Sequence, residues 1–154
     1  MKTILLTRGK VAVVDDEDYE RVSAFKWFAM SSQRGPWYAR RDVKRRAVLL
    51  HRVIMNAPEG VEVDHINGDG LDCRKTNLRL ATRSQNQHNK TKYKRNKSGF
   101  KGVCWHRASD RWLAQIRVDA KNIYLGVFAT PEEAARAYDV AAQKHHGEFC
   151  RVNF

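Results

Sequence analysis

The sequence predicts an α+β chain of two small modules, each combining short antiparallel strands with a helix. Short apolar runs are separated by turn-forming residues, and helix-start signals occur in few places. Residues 91–98 are polar and basic and have no apolar periodicity. With 154 residues the chain could be one domain, but this stretch divides it. We expect modules over residues 1–90 and 99–154, joined by a basic linker over 91–98.

The first module begins with two predicted strands and a helix. Ile4–Thr7 and Val11–Val14 have strand composition, and a helix is expected over Tyr19–Phe25. The acidic run Asp15–Asp18 precedes this helix, and carboxylates at a helix N-terminus are favoured by the helix dipole. We interpret the run as a helix cap. A second metal site is the alternative, and acids at such positions commonly cap helices.

A basic segment follows. Trp37–Arg41 and Ala47–Leu50 are predicted strands, and a short helix is expected over His51–Met55. Residues 31–60 carry seven Lys and Arg against two Asp and Glu. His51 can contact a phosphate or be a hydrogen-bonded histidine of a half-buried helix. The candidates for contact with a polyanion are Arg40, Arg41, Lys44, Arg45, Arg46, His51 and Arg52.

The charge of the whole chain indicates a polyanionic partner. It has 29 Lys and Arg against 17 Asp and Glu, a formal net charge of +12 and a pI near 10.0. Residues 91–100 hold four basic residues and no acid. A basic run can also be a solvated face or a targeting signal. Here two basic runs flank the motif described next, which favours contact with phosphates.

One constellation carries candidate chemistry. Asp64 and His65 are adjacent, Asn77 lies twelve residues after His65, and Asn86 lies nine residues further. Phosphodiester hydrolysis needs a water, a base to deprotonate it and a cation to hold the developing charge. Oxygen ligands from Asp64 and Asn86 suit Mg²⁺, or Mn²⁺, and leave positions open for phosphate and water. His65, with an ordinary pKa of roughly 6.5, is the candidate base.

The local backbone follows from the same residues. A short strand, a tight turn at Asn67–Gly70, a second strand and a helix would bring the groups together. Neighbours on a strand face opposite sides, so Asp64 and His65 can meet one phosphate only at a bulge or a strand end. An Asp-His pair before Asn-Gly is also typical of an ordinary hairpin end. The spacing to the two asparagines and the basic surroundings favour the functional interpretation.

These residues resemble the HNH nuclease family, in particular its homing-type, phage-encoded branch. The resemblance covers roughly His51–Asn89, with a core at about residues 47–90, and includes the turn Asn67-Gly-Asp-Gly70. It implies a ββα-metal fold and a divalent-metal mechanism. In that mechanism His65 is the general base, Asp64 and Asn86 are the magnesium ligands, and Asn77 completes the site by bonding to the loop backbone.

Two departures bear on the metal. Where other HNH enzymes place a second His after the last ligand, this chain has Lys90, which argues against a histidine-rich transition-metal site. The three cysteines, Cys73, Cys104 and Cys150, lack the Cys-x-x-Cys spacing of a zinc staple. No structural zinc is expected.

The second module shows three strands and then a helix. The strands are predicted over Lys101–His106, Trp112–Asp119 and Asn122–Phe128. Thr130-Pro-Glu-Glu133 predicts a capping box with proline at the first helical position, and Gly147 is a suitable helix end. One helical face, small enough to lie close to a sheet, holds Ala134, Ala137, Tyr138, Ala141 and Ala142.

Strand alternation assigns the faces of this module. On the second strand one side holds Trp112, Ala114, Ile116 and Val118, which the helix would cover. Gln115 and Arg117 are left on the other side, and Tyr124 points outward beside Arg117. Such a face can enter a major groove, where Arg reads guanine and Gln reads adenine. A merely solvated face is the alternative.

The second module resembles the plant apetala and ethylene-response-factor type DNA-binding domain, over about Ser98–Phe154. The matching stretches are Gly102-Val103, Trp112–Arg117, Tyr124–Gly126, Glu132–Asp139 and Asn153-Phe154. Similar domains occur beside HNH modules in mobile homing nucleases. The resemblance implies that DNA is faced by Lys101, His106, Gln115, Arg117 and Tyr124. Cys104 and Asn122 stand where the family tends to place arginines, so no target sequence is transferred.

Together these observations predict a metal-dependent endonuclease that cuts duplex DNA, acting as a monomer or weak dimer. The alternatives are a noncatalytic DNA-binding regulator with a degenerate HNH module and an RNA-binding protein that stacks bases on exposed aromatic residues. The scattered cysteines, the short apolar runs and the absence of a signal-peptide pattern predict a protein of the cytoplasm, in a bacterial or phage-infected cell, with no membrane partner.

Overall fold

The computed structural model describes residues 1–31, 35–92 and 96–154, which divide into two compact units, Met1–Asn86 and Gln87–Phe154. Both units mix helices with small antiparallel sheets, in keeping with the predicted α+β class. The predicted linker includes residues 93–95, which lie outside the described residues. No helix in the described part of the chain is long and apolar enough to cross a membrane.

The N-terminal unit starts with a hairpin and a helix. Strand β1 (Lys2–Leu5) pairs with β2 (Val11–Val14), and helix α1 covers Asp16–Ser23. β1 ends before the predicted Thr7, because Thr7–Gly9 form a 3₁₀ turn that closes the hairpin. α1 also ends two residues before the predicted Phe25.

The acidic run stands at the N-cap and in the first turn of α1, where it favours the helix dipole as predicted, and it also binds a distant segment. Asp15 stands at the N-cap, but its side chain makes no cap bond, and its Oδ2 accepts from the backbone N–H of Lys75 at 2.8 Å. The Lys75 ammonium lies 2.6 Å from Glu17 and 3.2 Å from Asp18. The expected capping bond is therefore absent. The acids hold the chain just before the second strand of the candidate site.

A three-stranded antiparallel sheet follows, formed by β3 (Phe28–Ser31), β4 (Trp37–Val43) and β5 (Arg46–Leu49). β3 was not predicted from the sequence. Lys44 and Arg45 form the turn between β4 and β5. Their φ angles of 46° and 65° lie in the left-handed region, which neither lysine nor arginine favours. Helix α2 (Leu50–Ile54) continues directly from β5.

The candidate site is carried by a second hairpin and a short helix. β6 (Glu62–His65) pairs with β7 (Leu78–Ala81), and α3 covers Arg83–His88. The strand, turn, strand and helix predicted here are present. The register runs without a shift from Glu62 to His65, so His65 lies at a strand end and there is no bulge.

The 70–73 segment joins this hairpin to the rest of the unit. The N–H of Val13 on β2 donates to Leu71 O, and the N–H of Cys73 donates to Val13 O. The largest fully buried side chains are Leu50, Ile54, Val14, Val22 and Cys73. One apolar core thus supports β2, α1, α2 and the loop between β6 and β7.

The C-terminal unit is a three-stranded antiparallel sheet with a helix packed on it. The sheet order is β8 (Val103–His106), β9 (Arg111–Val118) and β10 (Lys121–Phe128), and α4 covers Pro131–His146. The predicted capping box is confirmed, since Thr130 and Glu133 exchange side-chain and backbone bonds. α4 ends at Gly147, as predicted.

Two sets of contacts hold the start of the C-terminal sheet against α4 and the end of the chain. Gly102 has φ of 77°, and a Cβ there would meet the Tyr138 ring at 1.9 Å, so only glycine fits. The buried Asp139 carboxylate accepts from the backbone N–H groups of Asn153 and Phe154. The Asn153 side chain in turn bonds both backbone polar groups of Lys101. The chain end is thereby held against the start of the sheet.

Candidate active site and nucleic-acid interface

His65 lies at the end of β6 in a cluster of aromatic rings. Its centroid is 4.7 Å from that of His51 on α2, edge to face, and 5.7 Å from that of Tyr38 on β4. Burial lowers the pKa of His65 to about 4, against the opposing effect of Asp64, Asp69 and Asp72. The pKa is therefore below the ordinary value that the sequence interpretation assumed. His65 is neutral at pH 7, which is the form a base requires.

His51 supports this cluster and does not face solvent. Only 5% of it is exposed, and burial, with smaller effects of His65 and Arg52, lowers its pKa to about 3. Among the described residues its Nδ1 has no hydrogen-bond partner. Both sequence interpretations of His51, a phosphate contact and a hydrogen-bonded histidine, are wrong for this conformation, because α2 directs the ring against His65.

Asp64 directly precedes His65 at the end of β6. It is 3% exposed and stands directly across the ladder from Arg79, whose Nε and Nη2 lie 2.9 and 2.7 Å from its Oδ2. A carboxylate has two oxygens and about four lone-pair sites, so its chemistry allows it to accept bonds from an arginine and also to bind a metal ion. Sequence reasoning missed Arg79, because its role depends on the strand register.

Asn86 on α3 comes to the same side of β6 as Asp64. Its Nδ2 donates to Oε2 of Glu62 at 2.5 Å, and Glu62 precedes Asp64 by two residues on β6. Glu62 was also missed. In the described part of the chain no group of three or more His, Cys, Asp or Glu residues is arranged to hold a metal. The donors on this side are a carboxylate and an amide oxygen, a set that fits a hard divalent cation.

Asn77 holds the loop that leaves His65. Its Oδ1 accepts from the N–H of Asn67 at 3.0 Å, and its Nδ2 donates to Asp72 O at 2.8 Å. Only 7% of Asn77 is exposed. The backbone contacts that the sequence predicted for Asn77 are present. They fix the exit of the chain from β6 and so the position of His65.

Tyr38 is a further residue of this neighbourhood that sequence reasoning missed. Burial raises its pKa, and the carboxylates of Asp64 and Glu62 raise it further. Gly70 lies against it so closely that a Cβ would fall 2.5 Å from the Tyr38 ring and 2.4 Å from Trp37 O. β4 and the β6–β7 loop are thus packed tightly around the His65 cluster.

The predicted DNA-contacting arginines of the N-terminal unit differ in their surroundings. Arg45 and Arg46 are exposed at the β4–β5 turn. Arg40 bonds Asp42 at 2.6 Å, and the Arg41 guanidinium lies 3.7 Å from the Phe25 ring centroid.

Arg52 departs from the expectation. Its guanidinium donates to the backbone carbonyls of Ala57, Pro58 and Val61, where it holds the loop before β6 instead of facing DNA.

The outer face of the C-terminal sheet carries most of its predicted DNA-facing residues. Gln115, Arg117 and Tyr124 are exposed, and Tyr124 is 63% exposed. Tyr124 stands opposite Gln115 and Arg117 stands opposite Asn122, so one residue pair, Ile123 with Ile116, separates the predicted neighbours Tyr124 and Arg117 along the ladder. A register shift between Tyr124 and Gly126 follows immediately.

His106 and Lys101 are less exposed than this face. The Nδ1 of His106 lies 2.8 Å from Ser109 Oγ. Lys101 is half-buried, its ammonium donates to His88 O, and burial lowers its pKa to about 8. The predicted DNA-facing role of Lys101 does not fit this placement, because its side chain is used inside the unit.

Comparison with known proteins identifies both units. Residues 48–88 match the model of the HNH endonuclease family, and residues 98–148 match that of the AP2 domain. An uncharacterised HNH endonuclease of Acanthamoeba polyphaga mimivirus is 31% identical over 157 residues, which cover 97% of this chain and 79% of that protein. The chain belongs to the HNH endonuclease family. It also carries an AP2 domain, as the sequence resemblance indicated.

Plant transcription factors are similar to a smaller part of this HNH family member. The ethylene-responsive transcription factor ERN3 of Medicago truncatula is 45% identical over 73 residues, which are 46% of this chain and 30% of that protein. The AP2-like ethylene-responsive transcription factor ANT of Arabidopsis thaliana is 48% identical over 64 residues, which are 40% of this chain and 12% of that protein. The chain thus spans less than a third of these plant proteins. No solved structure matches it significantly.

Proposed function

We propose that this HNH family member is a metal-dependent endonuclease that hydrolyses phosphodiester bonds in duplex DNA. In this proposal the module of about residues 47–90 cuts, the AP2 domain over 99–154 positions the chain on its target, and the basic linker over 91–98 joins them. The observation that carries the proposal is the end of β6, where neutral His65 and the Asp64 carboxylate lie on adjacent residues beside the Asn77-fixed loop.

Each protein group has a defined task in the proposed reaction. A nitrogen of the neutral His65 imidazole accepts a proton from the attacking water. Asp64 and Asn86 hold a divalent cation, Mg²⁺ or Mn²⁺, which when bound supplies charge stabilisation at the phosphate and the leaving 3′ oxygen. Asn77 keeps His65 in position through the loop backbone. The products are a 5′-phosphate and a 3′-hydroxyl.

Binding to DNA is assigned to exposed cations and to one sheet face. Arg45 and Arg46 at the β4–β5 turn contact phosphates, and Gln115, Arg117 and Tyr124 face a groove. The net charge of +12 supports association with a polyanion. The combination of an HNH module with a separate AP2 domain supports a homing-type enzyme. One active site per chain makes a nick, so a double-strand break needs a dimer or two events.

The test is conversion of supercoiled plasmid to open-circle and linear forms at low salt, with Mg²⁺, with Mn²⁺ and with chelator. Low salt strengthens nonspecific binding and substitutes for an unknown target. His65→Ala should lower the nicking rate by roughly 10²- to 10⁴-fold, the usual contribution of a general base. The matched control, His145→Ala, removes an exposed histidine of α4 and should cut like wild type. Nicking in chelator, or equal nicking by His65→Ala, would contradict the mechanism.

A noncatalytic DNA-binding regulator is the second candidate. One contact favours it: the Arg79 guanidinium already neutralises the Asp64 carboxylate. A degenerate site of this kind would bind duplex DNA tightly without cutting it. Tight binding with no nicking, for wild type and in both metals, would favour this candidate.

A further inference from the structure

We propose that Glu62 is a positioning residue of the HNH site, which holds the Asn86 amide so that its oxygen is presented to the divalent cation. The proposal rests on the proposed nuclease function. It deepens that function by explaining how an amide, which has a ligating end and a non-ligating end, is kept in the ligating orientation.

The hydrogen bond between the two side chains carries the argument. Asn86 Nδ2 lies 2.5 Å from Glu62 Oε2. An ionised carboxylate only accepts hydrogen bonds, whereas an amide donates through nitrogen and accepts through oxygen. If the Asn86 amide turned over, two oxygens would face each other and repel. Glu62 therefore selects the orientation in which Oδ1 points away from it.

The placement of Glu62 on β6 makes this contact possible. Glu62 and Asp64 are two residues apart, so they share one side of the strand, while Val63 packs into the apolar core. Glu62 stands opposite the buried Ala81, whose small side chain ends β7 just before α3. The Glu62 carboxylate can therefore reach Asn86 on the first turns of α3.

Charge makes the contact strong. A hydrogen bond to an ionised acceptor is roughly twice as strong as one between neutral groups. On the neighbouring pair of the same ladder, Arg79 balances the charge of Asp64. Each proposed ligand thus has its own partner, Arg79 for Asp64 and Glu62 for Asn86. Loss of such an outer partner typically costs about 10- to 100-fold in metal affinity or activity.

The experiment compares four substitutions in the full chain. Glu62→Ala and Glu62→Met remove the acceptor, and Met keeps the length of the side chain in case Ala disturbs folding. Glu62→Gln keeps a carbonyl acceptor without charge. The matched control, Glu59→Gln, removes a carboxylate from an exposed position of the preceding loop.

Two readouts are independent of cleavage. The first is the side-chain ¹⁵N–¹H signal of Asn86 without metal, identified by its loss in Asn86→Asp. The second is the Mn²⁺ dissociation constant of the chain on a short duplex, measured by electron paramagnetic resonance of free Mn²⁺. Glu62→Ala and Glu62→Met should shift the amide proton upfield and weaken Mn²⁺ binding by about 10- to 100-fold. Glu62→Gln should retain most of both properties, and Glu59→Gln should match wild type.

Three other outcomes would each contradict part of the proposal. If Glu62→Met matches Glu59→Gln while wild type binds Mn²⁺ and nicks plasmid, the positioning role is wrong and the nuclease stands. If Glu62→Gln is as damaging as Glu62→Met, a carbonyl acceptor does not replace the carboxylate, and the positioning role through the Asn86 amide is wrong. If wild type neither binds Mn²⁺ on DNA nor nicks plasmid, the proposed function fails together with the inference.

Discussion

Gly70→Ala should destabilise the N-terminal unit through a steric clash. A Cβ at Gly70 would lie 2.4 Å from Trp37 O and 2.5 Å from the Tyr38 ring, whereas ordinary contacts lie at 3.4–4 Å. Either β4 or the β6–β7 loop must therefore move by about 1 Å, and overpacking of this kind costs ~1–3 kcal/mol or more. For a unit of this size that loss corresponds to a fall in Tm of roughly 5–20 °C.

The assay is thermal and urea unfolding of the full chain, followed by plasmid nicking at a temperature where the variant is folded. Gly60→Ala is the control, because Gly60 has φ of +82° and nothing within 4 Å of the added Cβ. It should lose only the backbone strain of a left-handed residue, about 1–2 kcal/mol. Nicking should fall further in Gly70→Ala than in Gly60→Ala, since Tyr38 contacts His65. Equal stability of Gly70→Ala and wild type would refute the close packing of this loop.

Three further predictions concern acid, the chain end and salt. His51 has a folded pKa of about 3, below its ordinary 6.5, so between these values the unfolded chain binds a proton that the folded chain does not. The contribution of His51 to the free energy of unfolding should be complete above pH 6.5 and fall towards pH 3 by up to ~5 kcal/mol, at ~1.36 kcal/mol per pKa unit. In urea unfolding at pH 7, 5 and 4, the free energy of unfolding of His51→Phe should therefore depend less on pH than that of wild type. Asn153→Ala removes side-chain bonds to Lys101 and Asp139 and should destabilise the C-terminal unit by ~2–3 kcal/mol; an unchanged urea midpoint would exclude the contact. Replacing Arg45 and Arg46 by Ala should reduce the slope of log K against log salt by about 2 if each contacts one phosphate, and an unchanged slope would remove this turn from the DNA interface.

Elements with strong local signals were predicted well. The Thr130-Pro-Glu-Glu133 box and Gly147 mark the ends of α4, because capping bonds form between residues three apart in sequence. The strand alternation of β9 also placed Gln115 and Arg117 outside and Ala114 and Ile116 inside. In both cases the deciding interactions are local or follow from strand geometry.

Elements whose form depends on distant partners were missed or misplaced. Phe28–Ser31 form a strand because they pair with β4, and the local sequence has no pattern that predicts this pairing. Asp15 carries an N-cap signal, but its carboxylate bonds Lys75, sixty residues away. Lys101 was assigned to DNA from the family resemblance and Arg52 from its charge, whereas both side chains donate to nearby backbone carbonyls.

The sequence alone determined the chemistry available to this protein. The Asp64-His65 pair, the two asparagines and the Gln115-Arg117 face follow from residue types and spacing, and so do the HNH and AP2 resemblances. Tertiary structure decided how these groups are used. The register of β6 with β7 places Arg79 opposite Asp64. The fold also brings Glu62 within hydrogen-bonding distance of Asn86, and burial of the His65 ring beside His51 and Tyr38 lowers its pKa. Contacts across a sheet, helix packing and desolvation depend on residues far apart in the chain, and so local patterns do not encode them.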